Sequence, residues 1–169
     1  MQETADQYRQ RMFNHLNSRD PVKLQAAAPA RLARLIKGIS PAKARKRPAP
    51  GKWSIAEIVA HLADTELVAG YRMRAILGAP GCPIIGFDQD GWVTALHYEK
   101  RNLQASVAQY RALRAANLAL LKTLTPEQWK HFGMHNERGA ESIETIARMY
   151  AGHDLNHFQQ IERILAAGK

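Results

Sequence analysis

The sequence predicts an all-α fold, a four-helix bundle. Three observations carry that expectation. Apolar residues recur at three- and four-residue spacing through most of the chain. Helix-capping residues stand at the starts of several stripes. Strand-like patterning is confined to scraps such as Cys82–Phe87. A length of 169 residues suits one domain, expected to span 1–169.

The first ~40 residues read as two helical pieces. Tyr8, Met12 and Leu16 recur at spacing four, and Arg19-Asp20-Pro21 then breaks the chain. Leu32, Leu35, Ile36 and Ile39 form a second stripe, and Pro41 to Gly51 reads as loop. A long helix should begin at Ser54, because Ser caps well and Glu57 completes a capping box. It should run to about Leu77, before Gly78-Ala79-Pro80. Gly86, Asp88, Asp90 and Gly91 punctuate the mixed segment from Gly81 to Arg101. A third helix should cover about Leu103 to Leu124. Thr125-Pro126-Glu127 reads as the cap and first turn of a short helix. Asn136 to Gly139 reads as loop, and Ser142 caps a last helix that runs to about Ala167 before Gly168.

Composition narrows the function classes. The chain is 46% hydrophobic and 23% charged, which excludes wholesale disorder. The N-terminal MQETADQYRQR has no apolar core and does not read as a signal peptide. No apolar run reaches the ~18 residues of a membrane span. The single cysteine, Cys82, cannot form an internal disulfide, and a cytoplasmic location is the expectation. The net charge of +9 and pI near 10 raise nucleic-acid binding as one reading. However, the densest basic run, Lys43, Arg45, Lys46 and Arg47, lies in a proline-broken loop without interleaved aromatics for base stacking.

The histidines carry the strongest signal. In the last helix, Ile143, Ile146, Tyr150, Ile161, Ile164 and Leu165 define an apolar stripe, and His153 and His157 fall inside it. Helical residues advance about 100° each, so residues four apart stand about 40° and about 6 Å from one another. Two such imidazoles can lean toward one point, as a metal ion requires. His61, mid-helix beside the Ile58–Leu62 stripe, is the candidate third ligand, since bundle cores build metal sites from facing helices. The simpler alternative is a set of core histidines satisfied by hydrogen bonds. His131 and His135 share the spacing, but Gly133 and Asn136 interrupt any helix there.

Other polar residues stand in apolar stripes. Glu66 lies among Ile55, Val59, Leu62 and Met73; Arg114 and Asn117 lie among Leu103, Val107, Tyr110 and Leu121. A buried Glu66–Arg114 ion pair is the plainer reading and a polar pocket near a metal the functional one. Trp53, Trp92 and Trp129 read as packing anchors, and Cys82 as a loop thiol.

Several segments together resemble the DinB/YfiT-like superfamily. They are Gly51-Lys52-Trp53-Ser54, His61-Leu62-Ala63-Asp64-Thr65-Glu66, Asp88-Gln89-Asp90-Gly91-Trp92, His135-Asn136-Glu137-Arg138-Gly139 and Gly152-His153-Asp154-Leu155-Asn156-His157. The resemblance spans almost the whole chain. It implies a four-helix bundle with a three-histidine metal site, which by position is His61, His153 and His157. Nickel and zinc are the metals it implies, and dimers are common in the family. Members resemble metal-dependent hydrolases, S-transferases that use low-molecular-weight thiols, and a maleylpyruvate isomerase. The chain departs from the simplest members by an extra N-terminal helical segment, before about Ala26.

These readings give an expected enzyme: a metal-dependent hydrolase or thiol S-transferase acting on a small molecule. Asp154, Glu66 and His135 are candidates for a base or a supporting role, and Asp154 is a candidate orienter of a ligand imidazole. Arg114, Asn117 and Trp92 are candidates for substrate contacts. The rivals are a non-catalytic metal-binding module, structural or sensing, and a basic-surface nucleic-acid binder.

Overall fold

The structure, a computed structural model, describes residues 3–167, so the expected stop at Gly168 lies outside the described residues. Helix α1 spans Ala5–Leu16, started by a capping box between Thr4 and Gln7. Helix α2 spans Pro21–Leu35. Asp20 accepts from the amides of Val22 and Lys23, and Pro21 occupies the first turn, where no N–H is needed. The Arg19-Asp20-Pro21 break is therefore also a helix start, well ahead of the Leu32 stripe. The expected loop from Pro41 to Gly51 opens with a short helix, α3, Pro41–Arg45, because Ser40 accepts from the Lys43 amide.

Helix α4 spans Ile55–Gly78, with both halves of the Ser54–Glu57 capping box formed. The mixed segment after it contains helix α5, Gln89–Ala95, and a 3-10 turn at Tyr98–Lys100. Helix α6 spans Leu103–Leu121 and stops short of the expected Leu124. Helix α7, Pro126–Lys130, starts at the Thr125 cap. Helix α8 spans Ile143–Ala167, and Ser142 Oγ accepts from the Thr145 amide at its start.

Helix α4 packs on α6 and α8, and α2 packs on the same two, so α2, α4, α6 and α8 close into a four-helix ring. Helix α1 lies outside that ring, against α8. At one end the core holds Leu32, Ile58, Leu62, Tyr110, Phe158 and Ile161. At the other it holds Met12, Met73, Ile76, Leu121, Ile143 and Ile146. Each such side chain contributes about 1.5–3 kcal/mol by leaving water. Two glycines permit the closest approaches. A Cβ on Gly70 would stand 2.5 Å from Asn117 Oδ1 on α6, and one on Gly152 would stand 2.0 Å from the Met12 carbonyl oxygen on α1.

The expected loop at Asn136 is present as a turn, but it joins two strands of a small sheet. Strand β1, Pro83–Ile84, runs parallel to β2, Phe132–His135, and β2 runs antiparallel to β3, Gly139–Ser142. Strands this short carry too few alternations to register as a period. Strand β3 leads directly into α8, which fixes where that helix begins. Among the described residues, no helix is long and apolar enough to cross a membrane.

Candidate metal centre

His61 comes from the first half of α4, and His153 and His157 from the middle of α8. Because α4 and α8 are packed neighbours, the three rings meet inside the bundle. One ligand atom from each lies within 4.8 Å of the other two. His153 Nε2 stands 2.9 Å from His61 Nε2 and 3.1 Å from His157 Nε2. Two nitrogens on one tetrahedral zinc, with bonds of about 2.0–2.1 Å, would stand about 3.3 Å apart. The spacing of this donor set therefore fits one transition-metal ion.

The electrostatics fit as well. Burial holds His61 and His153 well below the usual histidine range, and the neighbouring imidazoles push the same way. Burial takes His157 down to about 4. All three are thus neutral near pH 7 and offer lone pairs. Gln160 Oε1 lies 3.0 Å from His157 Nδ1 and can only accept, so the proton sits on Nδ1 and Nε2 keeps its lone pair. Thr65 donates its hydroxyl proton to the His61 carbonyl at 2.6 Å, leaving only oxygen lone pairs toward the His61 ring. Trp53 covers one side, its ring 4.9 Å from that of His61 and stacked nearly parallel to that of His157 at 6.2 Å.

His153 and Thr65 also line a narrow cleft that opens to solvent. Tyr8 of α1, Arg72 of α4, Phe87, Arg138 and Tyr150 form other walls. Arg138 is held by Glu141 through contacts of 2.6 and 3.1 Å. Arg72 donates to the Ile85 carbonyl at 2.8 Å and to the Tyr150 hydroxyl at 3.4 Å. Burial pushes the Tyr150 hydroxyl up to about 12, so it stays protonated.

The other candidates lie elsewhere. Glu66, Arg114 and Asn117 form a buried network between α4 and α6, joined by Asp154 from α8. Arg114 reaches Glu66 at 2.7 Å and Asp154 at 2.9 Å, and Asn117 donates to Glu66 Oε1 at 2.8 Å. Burial pushes Asp154 up to about 6 against the pull of Arg114. None of these four lines the cleft. His135 is buried in β2, accepting from the Glu137 amide, and is not one of the clustered histidines. Trp92 packs on Phe87 at 4.5 Å, one layer behind the cleft wall. Thr65, Arg72 and Gln160 escaped the sequence reading. Helical phase could have found all three, because Thr65 follows His61 by one turn, Arg72 follows it by three, and Gln160 follows His157 by three residues.

Comparisons with known proteins bear on the fold and the family. The family model described as the DinB superfamily matches residues 24–161. A relative from Oceanobacillus iheyensis, named "putative metal-dependent hydrolase", is 26% identical over 111 residues. That match covers 66% of this chain and 64% of the relative, so the chain spans just under two thirds of that relative's length. YfiT of Bacillus subtilis carries the same descriptive name and is 22% identical over 144 residues, 85% of this chain and 81% of YfiT. The solved YfiT structure, titled a "probable metal-dependent hydrolase with an unusual four-helix bundle topology", superposes with a TM-score of 0.78 at 21% identity, covering 86% of each chain. The matched span contains α4, the histidine pair of α8 and all but the first turn of α2, and the chain belongs to the DinB superfamily.

Proposed function

We propose that this protein is a metal-dependent enzyme whose ion, zinc or nickel, is held by His61, His153 and His157. The convergence of three neutral Nε2 atoms beside a solvent-open cleft carries the proposal. An ion so held supplies a Lewis acid with an open coordination position. The chain's own residues do the rest. Gln160 fixes the His157 tautomer, Trp53 walls off one side of the rings, and the cleft brings a small molecule to His153. Hydrolysis is the first reading, in keeping with the names of the relatives.

One observation favours a second reading, transfer of a low-molecular-weight thiol. Glu141 is the one carboxylate among the described cleft-lining residues, and Arg138 holds it. The cleft thus offers no free carboxylate to relay protons during hydrolysis, whereas a thiol gives up its proton to solvent more readily than water does and can then attack as the thiolate.

Protein loaded with zinc or nickel should hold about one ion per chain, and replacing all three histidines by Ala should abolish this. His135→Ala should leave it intact. Cobalt-substituted protein should change its visible spectrum saturably with azide or a small thiol. Ester or amide turnover that tracks occupancy supports the hydrolase. Thiol binding without such turnover supports the transferase. A spectrum indifferent to every ligand would remove the enzyme reading in favour of a structural or sensing metal.

A further inference from the structure

Arg72 stands out among the cleft walls. It is only 5% exposed, yet among the described residues it meets no carboxylate. Its two acceptors, the Ile85 carbonyl and the Tyr150 hydroxyl, are neutral. A guanidinium carries five N–H donors, so most of its donor capacity is unmatched. The other cleft cation, Arg138, is neutralised by Glu141. Farther out, Glu3 is bound by Arg11, and exposed Glu137 makes no ion pair with Arg72. A buried cation without a counter-ion is costly. A structural role would ordinarily come with a carboxylate, as Arg114 has Glu66 and Asp154.

The position of Arg72 matters as much as its charge. It follows His61 by eleven residues, which places it within about 20° of His61 around α4 and about 16 Å along the axis. Tyr150, which accepts from Arg72, has its ring 6.3 Å from that of His153. Both Arg72 and His153 line the same cleft, whose apolar lining includes Ile146, Met149 and Phe87, the last with its ring 5.9 Å from the Arg72 guanidinium.

We propose that Arg72 is the receptor for a carboxylate on the substrate, which lies along the cleft with its reacting end at the three-histidine centre. This places the substrate among small carboxylic acids in which a short apolar chain separates the acid group from the reacting group. Planar guanidinium pairs naturally with carboxylate, and the apolar wall suits the chain that joins the two ends. The assignment rests on the metal reading for the identity of the reacting end alone.

The test compares 6-mercaptohexanoate with its neutral twin, 6-mercaptohexanol, by calorimetric titration of zinc-loaded and metal-free protein. The carboxylate should bind about tenfold tighter than the alcohol in both forms, the ratio expected of one charge-assisted pairing. Zinc should strengthen both thiols equally. Arg72→Gln should erase the carboxylate preference while the effect of zinc persists, and Arg72→Lys should retain part of the preference. Circular dichroism checks that the variants fold. Equal binding of the two thiols by wild type would overturn the proposal, as would a preference that survives in Arg72→Gln or no binding of the acid at all. Inorganic phosphate that displaces the acid better than acetate does would overturn the carboxylate assignment in favour of a phosphate. A preference that persists while zinc strengthens neither thiol would sink the metal reading and leave the Arg72 assignment standing.

Discussion

Gln160 Oε1 accepts a hydrogen bond from His157 Nδ1 at 3.0 Å, three residues back along α8. A ligand imidazole needs its second nitrogen anchored, because an unanchored ring can rotate or take the wrong tautomer. Gln160→Leu removes the acceptor with little change in size. Metal affinity should fall about 10- to 100-fold, measured by competition with a coloured chelator. The helical content and the His61–His153 approach should be unchanged. An affinity equal to wild type would mean that packing alone orients His157.

Arg114 is the hub of the buried network, holding Glu66 at 2.7 Å and Asp154 at 2.9 Å. Arg114→Met would strand two carboxylates between three helices, at a cost of about 3–5 kcal/mol in urea denaturation. Adding Glu66→Gln and Asp154→Asn should recover much of that loss, because neutral amides do not repel one another. If the triple variant is as unstable as Arg114→Met, the defect lies in packing and not in charge.

The legible parts of this protein are those with a period. The apolar stripe of α8 exposes His153 and His157 as anomalies, and the same arithmetic points to His61 on α4. The Ser54–Glu57 capping box marks the start of α4 to the residue. The sheet was illegible because β1 has two residues and its partner β2 is some fifty residues away in sequence. Thr65 and Arg72 lie on the His61 face but are ordinary residues on helices, so only the cleft sets them apart. The Glu66–Arg114 pair was legible as two charges in facing stripes. Its third member, Asp154, depends on how α8 packs against α6, which no local pattern encodes.

Glu57 closes the capping box and also binds Arg47, from the basic loop. Burial pushes its carboxyl up, but the Arg47 guanidinium and the Ser54 donors outweigh this, and the net shift is downward from 4.5. A carboxyl lowered in the folded state contributes stability that is complete above its unfolded value and is lost as pH falls through the folded one. Glu57→Gln should therefore cost about 1–2 kcal/mol at pH 7 and almost nothing once pH is well below 4.5. Urea midpoints of the two proteins measured against pH should converge on the acid side. Parallel curves would show that the charge of Glu57 plays no part.

Gly152 is the tightest contact between α1 and the bundle. A Cβ there would stand 2.0 Å from the Met12 carbonyl oxygen and 2.7 Å from its carbon, and backbone cannot rotate aside as a side chain can. Gly152→Ala should therefore lift α1 from α8. Ala is also the better helix former, by up to about 1 kcal/mol, so α8 itself gains while the α1–α8 contact loses. The overpacking penalty, about 1–3 kcal/mol, should dominate, and the net change should be a loss of stability. Hydrogen exchange separates the two effects. Amides of residues 5–16 should lose protection, whereas those around His61 in α4 should not change. Metal affinity should change little, because all three histidines stand on α4 and α8. Tyr8 would move with α1, so the cleft should open on that side and the preference for 6-mercaptohexanoate over 6-mercaptohexanol should weaken. Unchanged stability together with unchanged exchange in α1 would mean that α8 can shift to accept the methyl group and that the close approach at Met12 is not what holds α1 in place.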